Sequence, residues 1–129
     1  MNRLSKSQYL GKVPEKTIEK NILQYLETAG ITAWGQNNGA IVIRERGNQR
    51  YYKTVYDHRG QTFQGISDIC GYINGRSLFI EVKRPGKKAT AHQANFLKNA
   101  VDSGCIAFVA TSVQDVVDHL NSFKPPKKS

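Results

Sequence analysis

The run SDICGYINGRSLFIEVKRPG, residues 67–86, decides how this chain is read. Two largely apolar stretches flank Asn74-Gly75, a dipeptide that favours a type I′ turn because both residues accept positive φ. A two-residue turn fixes the register. Ile73 faces Arg76, Tyr72 faces Ser77 and, continuing outward, Asp68 faces Glu81. Side chains alternate along a strand, so Glu81 and Lys83 share a face while Leu78, Ile80 and Val82 point the other way. Two carboxylates placed opposite each other on a sheet stand roughly 5 Å apart at Cβ and repel. Partial burial sharpens the repulsion by removing hydration. Lys83 supplies one positive charge. A divalent cation supplies two, and hard oxygen ligands at this spacing suit Mg²⁺ or Mn²⁺. The plainer alternative is a surface Asp–Lys–Glu ion cluster of little energetic worth. The neighbouring Ile69, Ile80 and Val82 are strand-core types and weigh against it.

Around the hairpin the pattern is α/β. The spacing predicts a strand over 76–83, a helix over 90–103 and a buried strand over 105–110, which together form a βαβ unit with parallel strands. Thr90 is the expected N-cap of that helix, Phe96, Leu97, Ala100 and Val101 its apolar stripe, and Gly104 its stop. Upstream, Pro14 opens a helix whose stripe is Ile18, Ile22, Leu23, Leu26 and Ala29, ending at Gly30. Residues 31–36 read as a strand, Asn37-Asn38-Gly39 as a turn, and AIVIRE as a second strand or an extension of the first. Ser112 caps a last helix with Val113, Val116, Val117 and Leu120 on one side. The expected architecture is a small mixed sheet flanked by helices, in the order αβββαβα. A basic arm (1–12) and a basic tail (124–129) lie outside the single domain at 13–123.

The 129 residues carry 19 Lys and Arg against 10 Asp and Glu, a net charge of +9. That excess points to a polyanionic partner, most often nucleic acid. Residues 44–64 show no clear period and read as a basic loop, with Arg44, Arg46, Arg50, Lys53 and Arg59 interleaved with tyrosines. Such a loop suits contact with a phosphate backbone and stacking on bases. Its alternative is a surface loop whose tyrosines pack on the core. Cys70 and Cys105 sit in apolar runs, which fits buried small hydrophobes rather than a disulfide or metal framework. No apolar run approaches the ~20 residues of a membrane span, and the N-terminus lacks a signal-peptide core, so a cytoplasmic setting is expected.

The Asp, hairpin and Glu-x-Lys pattern resembles the PD-(D/E)xK nuclease superfamily. More narrowly, GISDICGYINGRSLFIEVKRPG, the T-x-x-Q-x-x-F-L helix after it and the G-x-x-A-x-V-x-x-S segment resemble the VRR-NUC family. Ser67 stands where that family usually has a proline. The resemblance implies a restriction-endonuclease-like fold and metal-dependent hydrolysis of phosphodiesters. Asp68, Glu81 and the Val82 carbonyl would hold Mg²⁺, with Mn²⁺ as a substitute. Lys83 would orient the attacking water and stabilise charge on the phosphate.

Many relatives add a Glu from the first helix. Glu19 is the choice, because it borders the apolar stripe; Glu15, a turn earlier, is the other candidate, and the plainer reading is a rim Glu bonded to Lys20 or a loop Arg. Gln93 is a candidate site residue, and Thr90-x-x-Gln93 is equally a capping box. Arg84, Lys87 and Lys88 follow the Glu-x-Lys strand and are candidates for flanking phosphates. The resemblance further implies viral or bacterial resolvases acting as homodimers on branched DNA such as Holliday junctions. Tyr51 to Phe63 is the candidate dimer surface. A flap or nicking nuclease supporting replication, and a non-catalytic nucleic-acid-binding module, are the rival functions.

Overall fold

A computed structural model describes residues 12–36, 57–61 and 65–123, together with the backbone of 41–46 and 49–53. The elements are α1 (Glu15–Thr28), β1 (Thr32–Gly35), β2 (Ile41–Arg46), β3 (Gln49–Lys53), β4 (Ile69–Ile73), β5 (Arg76–Val82), α2 (Ala91–Asp102), β6 (Ile106–Ala110) and α3 (Val113–Asn121). Four strands form the main sheet in the order β1-β4-β5-β6. The pairs β1/β4 and β4/β5 are antiparallel, and β5/β6 is parallel. Counting the strands of this sheet alone gives the expected αβββαβα order.

The hairpin register is the one counted from the turn. Ile73 pairs with Arg76, Tyr72 with Ser77 and Ile69 with Ile80. Asn74 and Gly75 have φ of 52° and 77°, the two positive values a type I′ turn requires. Leu78, Ile80 and Val82 point into a core shared with Ile18, Ile22 and Leu26 of α1, Phe108 of β6, and Val116 and Leu120 of α3. Each such aliphatic side chain contributes about 1.5–3 kcal/mol on burial. Phe79 points to the other face, where it meets Phe96 of α2 edge-on with ring centroids 5.0 Å apart. Helices therefore cover both faces of β5.

The caps behave as the sequence predicts. Thr90 accepts the Gln93 N–H, and the Gln93 side chain accepts the Thr90 N–H, completing a capping box. The Ser112 hydroxyl accepts the Asp115 N–H at the start of α3. Pro14 is the N-cap of α1 rather than its first residue.

Three expectations need correction. Residues 44–64 are not one loop: Gln49–Lys53 is a strand, paired antiparallel with Ile41–Arg46 in a separate two-stranded sheet. The stretch is polar along its length, so backbone pairing leaves no apolar alternation to read. The run at residues 105–110 reads as a strand buried on both faces, and β6 does not match that. It is a sheet edge, with Ile106, Phe108 and Ala110 buried and Ala107 and Val109 only half-buried. Two stripe positions are exposed: Val101 falls outside the α2 stripe and is 51% exposed, whereas Leu97 and Ala100 are buried, and Ala29 is the exposed C-cap of α1.

Candidate active site

The site forms where β4 begins and β5 ends. Beyond the last pair, Ile69 with Ile80, the same register brings Asp68 against Glu81. Asp68 is fixed from both sides. Its Oδ2 accepts the Val82 N–H at 2.8 Å, and its carbonyl accepts the Gln36 N–H at 2.6 Å, just past β1. The Lys83 N–H donates to the Ala110 carbonyl at 3.0 Å, extending the β5/β6 ladder by one rung. Both strands are thus still held at the residues that carry the charged side chains.

Glu81 is 1% exposed. Its Oε1 lies 3.8 Å from Lys83 Nζ, an ion-pair distance too long for a hydrogen bond. Its Oε2 is buried and, with Ser67 Oγ, has no hydrogen-bond partner among the described residues. Burial pushes the Glu81 carboxyl up to about 8, and the neighbouring Asp68 carboxylate pushes the same way; Lys83 opposes them and Glu15 adds to them. An orphaned buried carboxylate oxygen is costly, and two carboxylates sharing a site favour retention of a proton by one of them.

Helix α1 supplies the opposite wall. A cleft of about 90 Å³ is lined by Glu15, Lys16, Glu19, Asp68 and Val82. Glu19 is buried and Glu15 exposed. Glu19 Oε2 accepts Lys16 Nζ at 3.1 Å, while Oε1 sits over Gly35, 3.4 Å from where a β-carbon there would stand. Lys16 was not singled out from the sequence. Its one signal was the i,i+3 spacing to Glu19.

The donors fit a hard divalent ion in kind. Mg²⁺ binds through one or two carboxylates, keeps several waters and takes further oxygens from substrate phosphates. Asp68 and Glu81 satisfy that need, and the unpartnered Oε2 is an oxygen such an ion would satisfy. Among the described residues no three Asp, Glu, His or Cys side chains converge into a metal-holding group. Glu19 is therefore near the acid pair without being gathered to it.

Gln93 gives its side-chain carbonyl to the Thr90 N–H at 2.8 Å, so its amide nitrogen is the end left for another partner. Gly65, two residues before Ser67, presses on the start of the same helix. A β-carbon there would overlap the His92 carbonyl, and its φ of 83° already favours glycine. This contact ties the approach to Asp68 to α2.

The basic candidates divide. Arg84 and Lys87 flank Pro85-Gly86 in a turn closed by Lys87 N–H to the Arg84 carbonyl, 3.0 Å, with Gly86 at φ 87°. This is the geometry of a type II turn, and it leaves Lys87 and Lys88 exposed one turn beyond Lys83. Arg59 is paired with Asp57 at 2.8 Å; that guanidinium holds the Asp57 carboxyl below its usual range. Arg44, Arg46, Arg50 and Lys53 lie on β2 and β3, and their side chains fall outside the described residues, as does most of the Tyr51–Phe63 surface. Cys70 and Cys105 are unbridged. Burial, followed by the Asp68 charge, pushes the Cys70 thiol up to about 11, leaving it a protonated core residue.

A mixed sheet whose central hairpin ends in paired acids and a lysine, in a strongly basic chain, defines a nuclease-class α/β domain. The VRR-NUC domain model matches residues 13–114, and the chain belongs to that nuclease family. No curated protein matches it. DNA is the substrate class the family implies. No helix among the described residues is long and apolar enough to cross a membrane.

Proposed function

We propose that this chain is a divalent-metal-dependent DNA endonuclease that prefers branched DNA of the Holliday-junction type. The observation that carries the metal dependence is buried Glu81, with one carboxylate oxygen unpartnered and a second acid facing it. Asp68, Glu81 and the Val82 carbonyl hold Mg²⁺ or Mn²⁺, and Glu19 joins from α1. The ion offsets charge on the phosphate oxygens and makes water a stronger acid. Asp68 keeps its place through the Val82 N–H. Lys83 Nζ, held beside Glu81, orients the attacking water and stabilises the negative charge that builds on the phosphate. Gln93 enters through its amide nitrogen. Arg84, Lys87 and Lys88 bind phosphates flanking the cut, and Arg44, Arg46, Arg50, Lys53 and Arg59 bind the backbone further out.

Branched-DNA selectivity and a homodimer rest on the family resemblance and the net charge of +9. Two-fold symmetry would place two cuts on opposed strands. The domain proper is residues 13–123. The test compares Mg²⁺- and Mn²⁺-supported cleavage of matched four-way junction, flap and linear duplex by wild type and Lys83→Ala. Cutting of the junction by wild type alone supports the reading. Equal rates on all three substrates remove the junction preference, and no cutting with either metal removes the enzyme.

A further inference from the structure

We infer that Lys16 is a phosphate-positioning residue under the control of the cation: ammonium and divalent ion compete for the Glu19 carboxylate, and the displaced ammonium takes a DNA phosphate. The inference rests on the nuclease reading above and assigns a role to a residue outside the Asp, Glu and Glu-x-Lys set.

Three observations carry it. Glu19 is a nearly buried carboxylate, its side chain 12% exposed, and such a group needs a counter-charge. Lys16 provides one at 3.1 Å, while its own side chain is 83% exposed. Its stem is therefore anchored only at the tip, and an i,i+3 ion pair of this kind holds weakly. Finally, Lys16 and Glu19 share their cleft with Asp68 and Val82, where the cation is expected. An ammonium and a divalent ion on one carboxylate repel each other. The ion, carrying twice the charge and sharing the cleft with the Asp68 carboxylate, wins the site. Lys16 is then a solvent-facing cation at the mouth of the cleft through which the phosphodiester must approach. Glu15 and Asp68 also line that cleft, and the phosphate that arrives with the DNA is the further anion assigned to Lys16.

The competition makes two effects run in opposite directions, which a purely structural lysine would not do. Lys16→Met keeps the length and helix propensity of the side chain and removes the charge. Mn²⁺ binding to the DNA-free protein, followed by electron paramagnetic resonance, is expected to tighten about two- to five-fold in Lys16→Met. Binding of a fluorescein-labelled four-way junction is measured by anisotropy across a salt series. In Ca²⁺, which takes the same oxygen donors, the slope of log K against log salt is expected to fall by about one in Lys16→Met. In EDTA the two slopes are expected to coincide, because Lys16 is then held by Glu19. Lys16→Arg is expected to restore both wild-type values.

Unchanged or weaker Mn²⁺ binding in Lys16→Met overturns the inference. So does an equal salt slope in Ca²⁺, or a slope difference of the same size in Ca²⁺ and EDTA, which marks an ordinary surface contact. If wild type takes up no Mn²⁺ and cuts no junction, the nuclease reading falls and this one with it. If wild type does both and Lys16→Met matches it, Lys16 alone loses its role.

Discussion

Asp68 reaches across the hairpin to hold the residue after Glu81: its Oδ2 accepts the Val82 N–H at 2.8 Å. One carboxylate thereby has two duties, closing the strand end and facing a second acid. The two can be separated. Asp68→Asn keeps an acceptor for the Val82 N–H and loses the charge. Asp68→Ala loses both, and a hydrogen bond to a charged group is worth about 1.5–3 kcal/mol. We expect both variants to lose cleavage and to retain DNA binding. Only Asp68→Ala should show a clearly lower midpoint in urea unfolding.

Glu81 sets a pH dependence of stability with a definite sign. Its carboxyl titrates near 8 in the folded chain against an ordinary 4.5. Between those values the folded state binds the additional proton, so stability falls as pH rises through that window. In EDTA, the melting temperature of wild type relative to Glu81→Gln should decline from pH 5 to pH 8. Saturating Mg²⁺ should flatten the decline, because the ion takes the place of the proton. A wild-type profile parallel to that of Glu81→Gln throughout would remove the buried acid from the account.

Lys83 lies 3.8 Å from Glu81 and lowers its proton affinity. Removing it should act twice. Lys83→Ala should cut the cleavage rate by about 10²–10³-fold, the usual cost of losing one transition-state donor. It should also raise the Mg²⁺ concentration needed for half-maximal activity at pH 7, since Glu81 then holds its proton harder. Rates across a Mg²⁺ series, read beside junction affinity in Ca²⁺, check both effects.

Gln93 and Thr90 share one capping box, so their substitutions make an internal control. Each should lower stability by about 1 kcal/mol. If Gln93 also serves the site, Gln93→Ala should slow cleavage well beyond Thr90→Ala at a temperature where both are folded. Equal rates would reduce Gln93 to a cap.

Gly65 is expected to tolerate nothing larger. Its positive φ and the His92 carbonyl both oppose a β-carbon. Gly65→Ala should cost more than 1 kcal/mol in denaturant unfolding and should lower activity through the displaced Asp68 segment.

Much of this was legible because it is local. Asn74-Gly75 sets a register by counting, and Asp68, Glu81 and Lys83 follow from it without knowledge of any other element. Thr90 and Ser112 were readable for the same reason, since a cap is satisfied within four residues. The strand Gln49–Lys53 was not readable, because a polar ribbon outside the main sheet carries no apolar period. The edge position of β6 is a fact of sheet order, which the run CIAFVA does not encode. The burial of Glu19 follows from its place beside the Ile18–Ile22 stripe. Its partner is Lys16 rather than Lys20 or a loop Arg, and an exposed lysine three residues away looks like any other solvated charge.

The bond from the Gln36 N–H to the Asp68 carbonyl has an architectural consequence. Residue 36 follows β1 and residue 68 precedes β4, so the chain leaves the main sheet and rejoins it at one point. Among the described residues the β2–β3 ribbon in that interval pairs with itself and not with the main sheet, a cassette set on a fixed frame. It could be lengthened, shortened or exchanged between relatives without altering a residue of the acid pair. Under the proposed function, the choice of DNA could change there while the acid pair stayed still.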